Sequence, residues 1–168
     1  MFVMNDLQKP GMVPQAPTVG VAFLLSQVGA HAALGFAEEL RVLSLEPHHA
    51  GILRILGSNS GITQQQLSGM LGMFPSRLVV LLDDLESRKL IHRRNHPTDR
   101  RRHCLYLSKT GRTALQRIGD LTVQLEQHLL AALTERERKK LFDVLTRIVS
   151  QQKMTPSVHP AYRQLGKH

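Results

Sequence analysis

Arg88-Lys89-Leu90-Ile91-His92-Arg93-Arg94-Asn95-His96-Pro97-Thr98-Asp99-Arg100-Arg101-Arg102, residues 88–102, carries seven Lys/Arg against a single acid, Asp99. That is a net +6 in a chain of 168 residues whose formal charge is +9. Like charges packed so closely repel one another and oppose a compact state. One reading is a solvated, flexible charge run. The other is a basic β-hairpin that meets a polyanion. Asn95, Pro97, Thr98 and Asp99 supply turn chemistry at the centre of the stretch. An alternating segment, His103-Cys104-Leu105-Tyr106-Leu107, follows it as a returning strand would.

Working outward, the chain has the length of one domain, or of one lobe with an appended element. Hydrophobic residues make up 42%, aromatics only 4%, and there is no Trp. A core of Leu, Val, Ile and Ala suits helices packed on helices. The basic balance favours an anionic partner: nucleic acid, acidic protein or anionic membrane. Cys104 is the only cysteine, so no internal disulfide can form and nothing points to an oxidising compartment. The N-terminus does not read as a signal peptide. Val19 to Ala37, the most apolar stretch, is interrupted by Gln27, His31 and three Gly, and is expected not to span a membrane. A cytoplasmic protein without a membrane partner is the expectation.

Residues 1–17 hold three Pro and one Gly without period and read as a flexible arm. Thr18 stands where it would cap a helix over about 19–44. Phe23, Leu24, Val28, Leu34, Leu40 and Leu43 make that helix apolar on most of its surface. A helix of this kind is buried, here against a second subunit. A second helix opens at Pro47, where the missing N–H costs nothing, and runs to about Leu56. Gly57-Ser58-Asn59-Ser60-Gly61 breaks the pattern. Thr63-Gln64-Gln65-Gln66 is a capping box, and Gly72 closes the short helix that follows. Pro75 begins another helix with Leu78, Leu81, Leu82 and Leu85 at helical spacing. Two helices joined by a tight turn form a helix-turn-helix. With the basic hairpin directly after it, the pattern becomes a winged helix-turn-helix. Leu115, Ile118, Thr122, Leu125 and Leu129 stripe a long helix after Gly111. Thr134-Glu135-Arg136-Glu137 is a second capping box, before a helix striped by Leu141, Val144, Leu145 and Ile148. Both stripes call for a partner, and with the N-terminal helix they read as a dimerisation bundle.

Leu71-Gly72, Ser76, Leu81-Leu82-Asp83-Asp84-Leu85-Glu86-Ser87-Arg88-Lys89-Leu90-Ile91 and Arg93 resemble the MarR family of bacterial regulators. Pro97-Thr98-Asp99-Arg100-Arg101-Arg102 and Leu105-Tyr106-Leu107-Ser108-Lys109-Thr110-Gly111-Arg112 do so too. The motif match covers about residues 63–112, with Lys89 in place of the usual Gly and Ser108 in place of the usual Thr. The resemblance implies a mainly α fold with a β-hairpin wing. Its divisions are a flexible arm (1–17), a dimerisation helix (18–46), a winged lobe (47–108), and a long helix, dimerisation helix and tail (109–168). It implies a homodimeric repressor of transcription on a pseudo-palindromic DNA duplex, released by a small aromatic or phenolic effector.

Within that frame Pro75, Ser76 and Arg77 lead the recognition helix into the major groove. Val79 and Val80 stand where polar or basic residues are common in the family. A Val can touch a thymine methyl but cannot hydrogen-bond. Arg101 is the residue expected to enter the minor groove, held by an ion pair to Asp99. Arg100 and Arg102 are expected at phosphates, Arg93 is counted among the DNA-binding residues, and Thr63 and Gln64 would offer amides to a phosphate. Asp83 belongs to the supporting structure by the family pattern. The residues offered for an effector pocket are His31, Arg41 and His49. Glu46, His48 and His49 lie close together but lack ligand spacing, so no metal is expected. No nucleophile elbow, phosphate loop or carboxylate pair is present, so no catalysis and no cofactor are expected. Two alternatives stay open: a non-specific architectural DNA binder, and a protein-interaction module with a basic hairpin.

Overall fold

The computed structural model describes residues 19–95, 102–155 and 158–159. The element order is α1 (Val21–Glu39), a 3₁₀ turn (Leu40–Leu43), α2 (Pro47–Ser58), α3 (Gln64–Leu71) and α4 (Pro75–Ser87). Then come β1 (Ile91–Asn95), β2 (His103–Leu107), α5 (Lys109–Leu129) and α6 (Glu135–Gln151). The architecture is mainly α with one antiparallel hairpin, as expected. β1 and β2 pair from Ile91 with Leu107 to Asn95 with His103. Thr63 forms an isolated bridge to Cys104, and the Leu105 N–H donates to the Ile62 carbonyl. The chain before α3 therefore lies along the wing as a short third edge.

One core holds this lobe together. Ile52, Leu53 and Leu56 of α2, Leu67 and Leu71 of α3, Leu78, Leu82 and Leu85 of α4, and Leu105 of β2 are all buried. Ile118 of α5 seals the cluster, and Val158 of the C-terminal tail packs on it. The expected helix starts are present. Thr63 accepts from the Gln66 N–H at 3.2 Å while Gln66 Oε1 accepts from the Thr63 N–H at 2.8 Å. Thr134 and Glu137 do the same at α6. Gly72 ends α3 at φ 62°, a left-handed turn that favours glycine.

Two boundaries differ from expectation. The N-terminal helix gives way at Leu40 to a 3₁₀ turn and ends at Ser44, φ 54°, rather than running to 44 as α-helix. Helix α2 passes through Gly57 to Ser58. A Cβ on Gly57 would come within 2.4 Å of Leu115 Cδ2, so this glycine marks a close approach of α5, not a stop. The proposed cap Thr18 lies outside the described residues, as does the 1–17 arm.

The flanking helices are another matter. Neither α1 nor α6 has a buried residue, and α5 buries only Gly111 and Ile118. Leu34 on α1 and Phe142 on α6 are 72% and 69% exposed. Val21–Leu43 is long and apolar enough to span a bilayer by length and composition, so Gln27 and His31 do not interrupt it as sharply as expected. The core helix of a water-soluble protein and a signal sequence meet the same two criteria.

Candidate nucleic-acid interface

The local chemistry that exposes α4 begins with Pro75, which fixes the first turn after Phe74 in extended conformation. Leu78, Leu81, Leu82 and Leu85 face the core. At about 100° per residue, Ser76, Val80, Asp83 and Ser87 then form the outward stripe, with Arg77 and Val79 flanking it. Ser76 and Arg77 are both exposed, at the N-terminal end of the helix.

Thr63, Gln64, Gln65, Pro75, Arg102 and His103 line one open surface cleft of about 530 Å³. An Arg102 guanidinium N–H donates to Gln65 Oε1 at 3.2 Å across it. Residues from the start of α3 and from the wing thus share a cleft with the first residue of α4. Thr63 itself is buried and its hydroxyl is held by Gln66, which leaves the helix-start amides of α3, rather than this hydroxyl, for an anion. Gln65 and His103 were not singled out from sequence. Gln65 follows Thr63-Gln64 on the first turn of α3, and this adjacency was the available signal.

Arg93 is engaged on its own side of the wing. Its guanidinium reaches Glu86 Oε2 at 2.5 Å and Asp83 Oδ1 at 2.6 Å, and its N–H donates to Glu86 Oε1 at 3.1 Å. The pairing locks β1 to the C-terminal half of α4 and neutralises two acids near the exposed face. Arg94 lies over the Tyr106 ring, 5.1 Å from its centroid, and His92 stacks on the same ring at 5.6 Å. This stack stiffens the hairpin. Asp99, Arg100 and Arg101, expected at the wing tip, lie outside the described residues.

A second network ties α4 to the turn below α1. The Glu46 N–H donates to His49 Nδ1 at 3.2 Å, and His49 Nε2–H donates to Asp84 Oδ2 at 3.1 Å. Arg88 pairs with the same carboxylate at 2.9 Å and donates to the Ser44 carbonyl at 2.5 Å. Burial pushes His49 down from the ordinary imidazole range to about 4, and the neighbouring His48 adds to the drop. Burial also lowers His48. Both nitrogens of a neutral His49 are spent in this geometry, so it has none left for a ligand. Among the described residues no group of three His, Cys, Asp or Glu could hold a metal ion. Arg41 lines a cleft with Ala37, Ser44, Leu45, Glu46 and Pro47. His31 is exposed on α1 and lies about 15 Å before Arg41 at helical rise, so the three residues offered for an effector are not brought together within one chain.

Ser108 fastens the wing to α5. Its hydroxyl donates to the Lys89 carbonyl at 2.6 Å and accepts from the Gly111 N–H at 2.9 Å. Lys89 has φ 59°, a conformation that explains why glycine is usual there. A Cβ on Gly111 would lie 1.9 Å from the Leu90 carbonyl oxygen, so that glycine is required by contact with backbone.

A helix-turn-helix with a basic hairpin wing, presenting the start of its second helix beside that wing, defines the class of winged DNA-binding folds. Residues 43–102 match the family model described as the MarR family. It is 35% identical over 107 residues to a putative transcriptional regulatory protein for the hcr operon of Thauera aromatica, a match covering 64% of each chain. The transcriptional repressor CouR, solved bound to a 23-mer DNA duplex, aligns with TM-score 0.69 and 29% identity over 77% of this chain and 92% of that one. A probable transcriptional regulator from Pseudomonas aeruginosa aligns with TM-score 0.65 and 28% identity over 77% and 96%. Wild-type MarR from E. coli shares the fold at TM-score 0.70 and 23% identity over the same shares. The first three of these are named as regulators or a repressor of transcription.

Proposed function

We propose that the protein is a homodimeric transcriptional regulator, a repressor that binds a pseudo-palindromic DNA duplex and is released by a small aromatic or phenolic effector. The observation that carries the reading is the cleft shared by Gln64, Gln65, Pro75 and Arg102, with Ser76 and Arg77 exposed in the first turn of the same helix. It offers helix-start amides and cations to phosphates, and a helix end to base edges. Arg100 and Arg101 extend this set from the wing, with Asp99 as support. Arg93, held by Asp83 and Glu86, serves as a buttress that aims the wing. The uncovered apolar stripes of α1, α5 and α6 are the surface for a second copy, and cytoplasmic residence follows from the role. The effector would enter beside Arg41, where the cleft borders Ser44 and hence the Arg88–Asp84–His49 network that fixes α4. Affinity would come mainly from phosphate neutralisation and fall steeply with salt.

Titration against genomic and random duplexes at several salt concentrations, with footprinting, tests this function. A protected site with dyad symmetry that survives physiological salt is expected. Uniform coverage would instead support an architectural role, the reading that exposed Val79 and Val80 favour. Failure to bind any duplex at low salt overturns both. Arg101→Ala is expected to weaken duplex binding strongly and leave the dimer intact.

A further inference from the structure

The outward stripe of α4 is nearly devoid of free hydrogen-bonding groups beyond its first turn. Val80 sits at its centre, one turn after Ser76, and is 63% exposed. Asp83 is held by Arg93, Asp84 by Arg88 and His49, and the Ser87 hydroxyl donates to the Asp84 carbonyl at 2.7 Å. A free carboxylate on this stripe would accept from a cytosine amino group; both candidates are already engaged. Val79 and Phe74 add apolar surface on either side, 36% and 60% exposed. Val80 and Val79 therefore leave the free part of this stripe an apolar contact to make and no hydrogen bond. The major groove of DNA offers one apolar group, the C5-methyl of thymine.

We infer that Val80 is a specificity-determining residue that reads a thymine methyl in the major groove, with Val79 packing beside it. Val80 can do so only if α4 lies in a DNA groove, so the inference rests on the DNA-binding function proposed above. Ser76 and Arg77 then supply polar contacts at one side of the position, and the Val80 isopropyl excludes water from the methyl. Guanine and adenine offer no methyl at that place, and cytosine presents its amino group to a side chain that cannot accept from it.

The test uses the full chain and duplexes enriched from a random library at physiological salt. Thymines in the enriched site are replaced singly by uracil, which removes the methyl and keeps every hydrogen-bonding edge. At one or two positions in each half-site, binding is expected to fall about fourfold, the worth of one buried methyl-sized group. The slope of affinity against salt is expected to stay unchanged, because no phosphate contact is touched. Val80→Ala, a change at an exposed position, is expected to bind the thymine and uracil duplexes alike. Equal affinity of the wild-type chain for thymine and uracil duplexes throughout the site overturns the inference alone. So does an undiminished preference for thymine in Val80→Ala. Absence of duplex binding altogether overturns the DNA-binding function with it.

Discussion

Helix α2 buries seven of its twelve residues, and helix α6 buries none of its seventeen. The two are similar in apolar patterning along one face, yet only the first finds its counterpart within the chain. The winged lobe closes on itself: Leu53, Leu67, Leu82 and Leu105 are each fully enclosed, and its polar ends are capped. The flanking helices leave Leu34, Val123, Phe142 and Leu145 open. The lobe is therefore a unit whose stability is local, while α1, α5 and α6 leave apolar surface uncovered, which in the proposed dimer a second copy would wall in. The network through His49, Asp84, Arg88 and Ser44 is where the two kinds of structure meet.

The contrast is sharpest under a charge placed on the open face. In the proposed dimer Leu145→Asp would put two carboxylates into the contact between copies, and it is expected to weaken the dimer by about four orders of magnitude, roughly 5–6 kcal/mol, as read by sedimentation. The melting of the lobe should change little, and a chain that is monomeric at the start would be indifferent to the substitution. In the closed region, Leu82→Ala opens a cavity among fully buried neighbours and should lower stability by about 3–4 kcal/mol in urea unfolding. A cost below 1 kcal/mol would show that the lobe is less tightly closed than its burial indicates.

Between the two regions, His49 gives a pH signature. Its folded value of about 4 lies below the ordinary 6.5, so the unfolded chain takes up the proton first as pH falls. The stabilising contribution is full above pH 6.5 and is lost as pH drops toward 4. His49→Gln should remove on the order of 2–3 kcal/mol of the stability difference between pH 7 and pH 4, measured as shifts in urea midpoint. An unchanged pH dependence would contradict a buried neutral imidazole. The smallest expected effect is at the start of α6. Thr134→Ala removes the cap from an exposed helix and should cost about 1 kcal/mol by the same unfolding measurement.

Much of the lobe was legible because its signals are local. Thr63 with Gln66, Thr134 with Glu137, Pro75 and Gly72 each act within one turn of helix, and each stands where the sequence placed it. The less legible features depend on distant chain. Gly57 looks like a breaker until Leu115 is seen against it. Ser44 turns left-handed without a glycine to announce it, so the end of α1 could not be read. At α2, His49 takes the role that Glu or Gln plays in the usual capping box, which hid the cap. The charge count grouped Arg93 with the residues that face DNA, whereas its partners Asp83 and Glu86 lie on the preceding helix and meet it only after the chain reverses. The wing tip from Asp99 to Arg101, strongest of all in the sequence, falls outside the described residues, so its place rests on charge and family pattern.

The central claim is that two copies, joined through the open helices, present two recognition helices to one duplex. Sedimentation of the protein on an enriched duplex, combined with footprinting of the same complex, tests it most directly. Two chains per duplex are expected, with two protected major-groove faces about one helical turn apart, roughly 34 Å, and loss of both on Leu145→Asp. A single chain protecting one face, with affinity unaffected by Leu145→Asp, would contradict it.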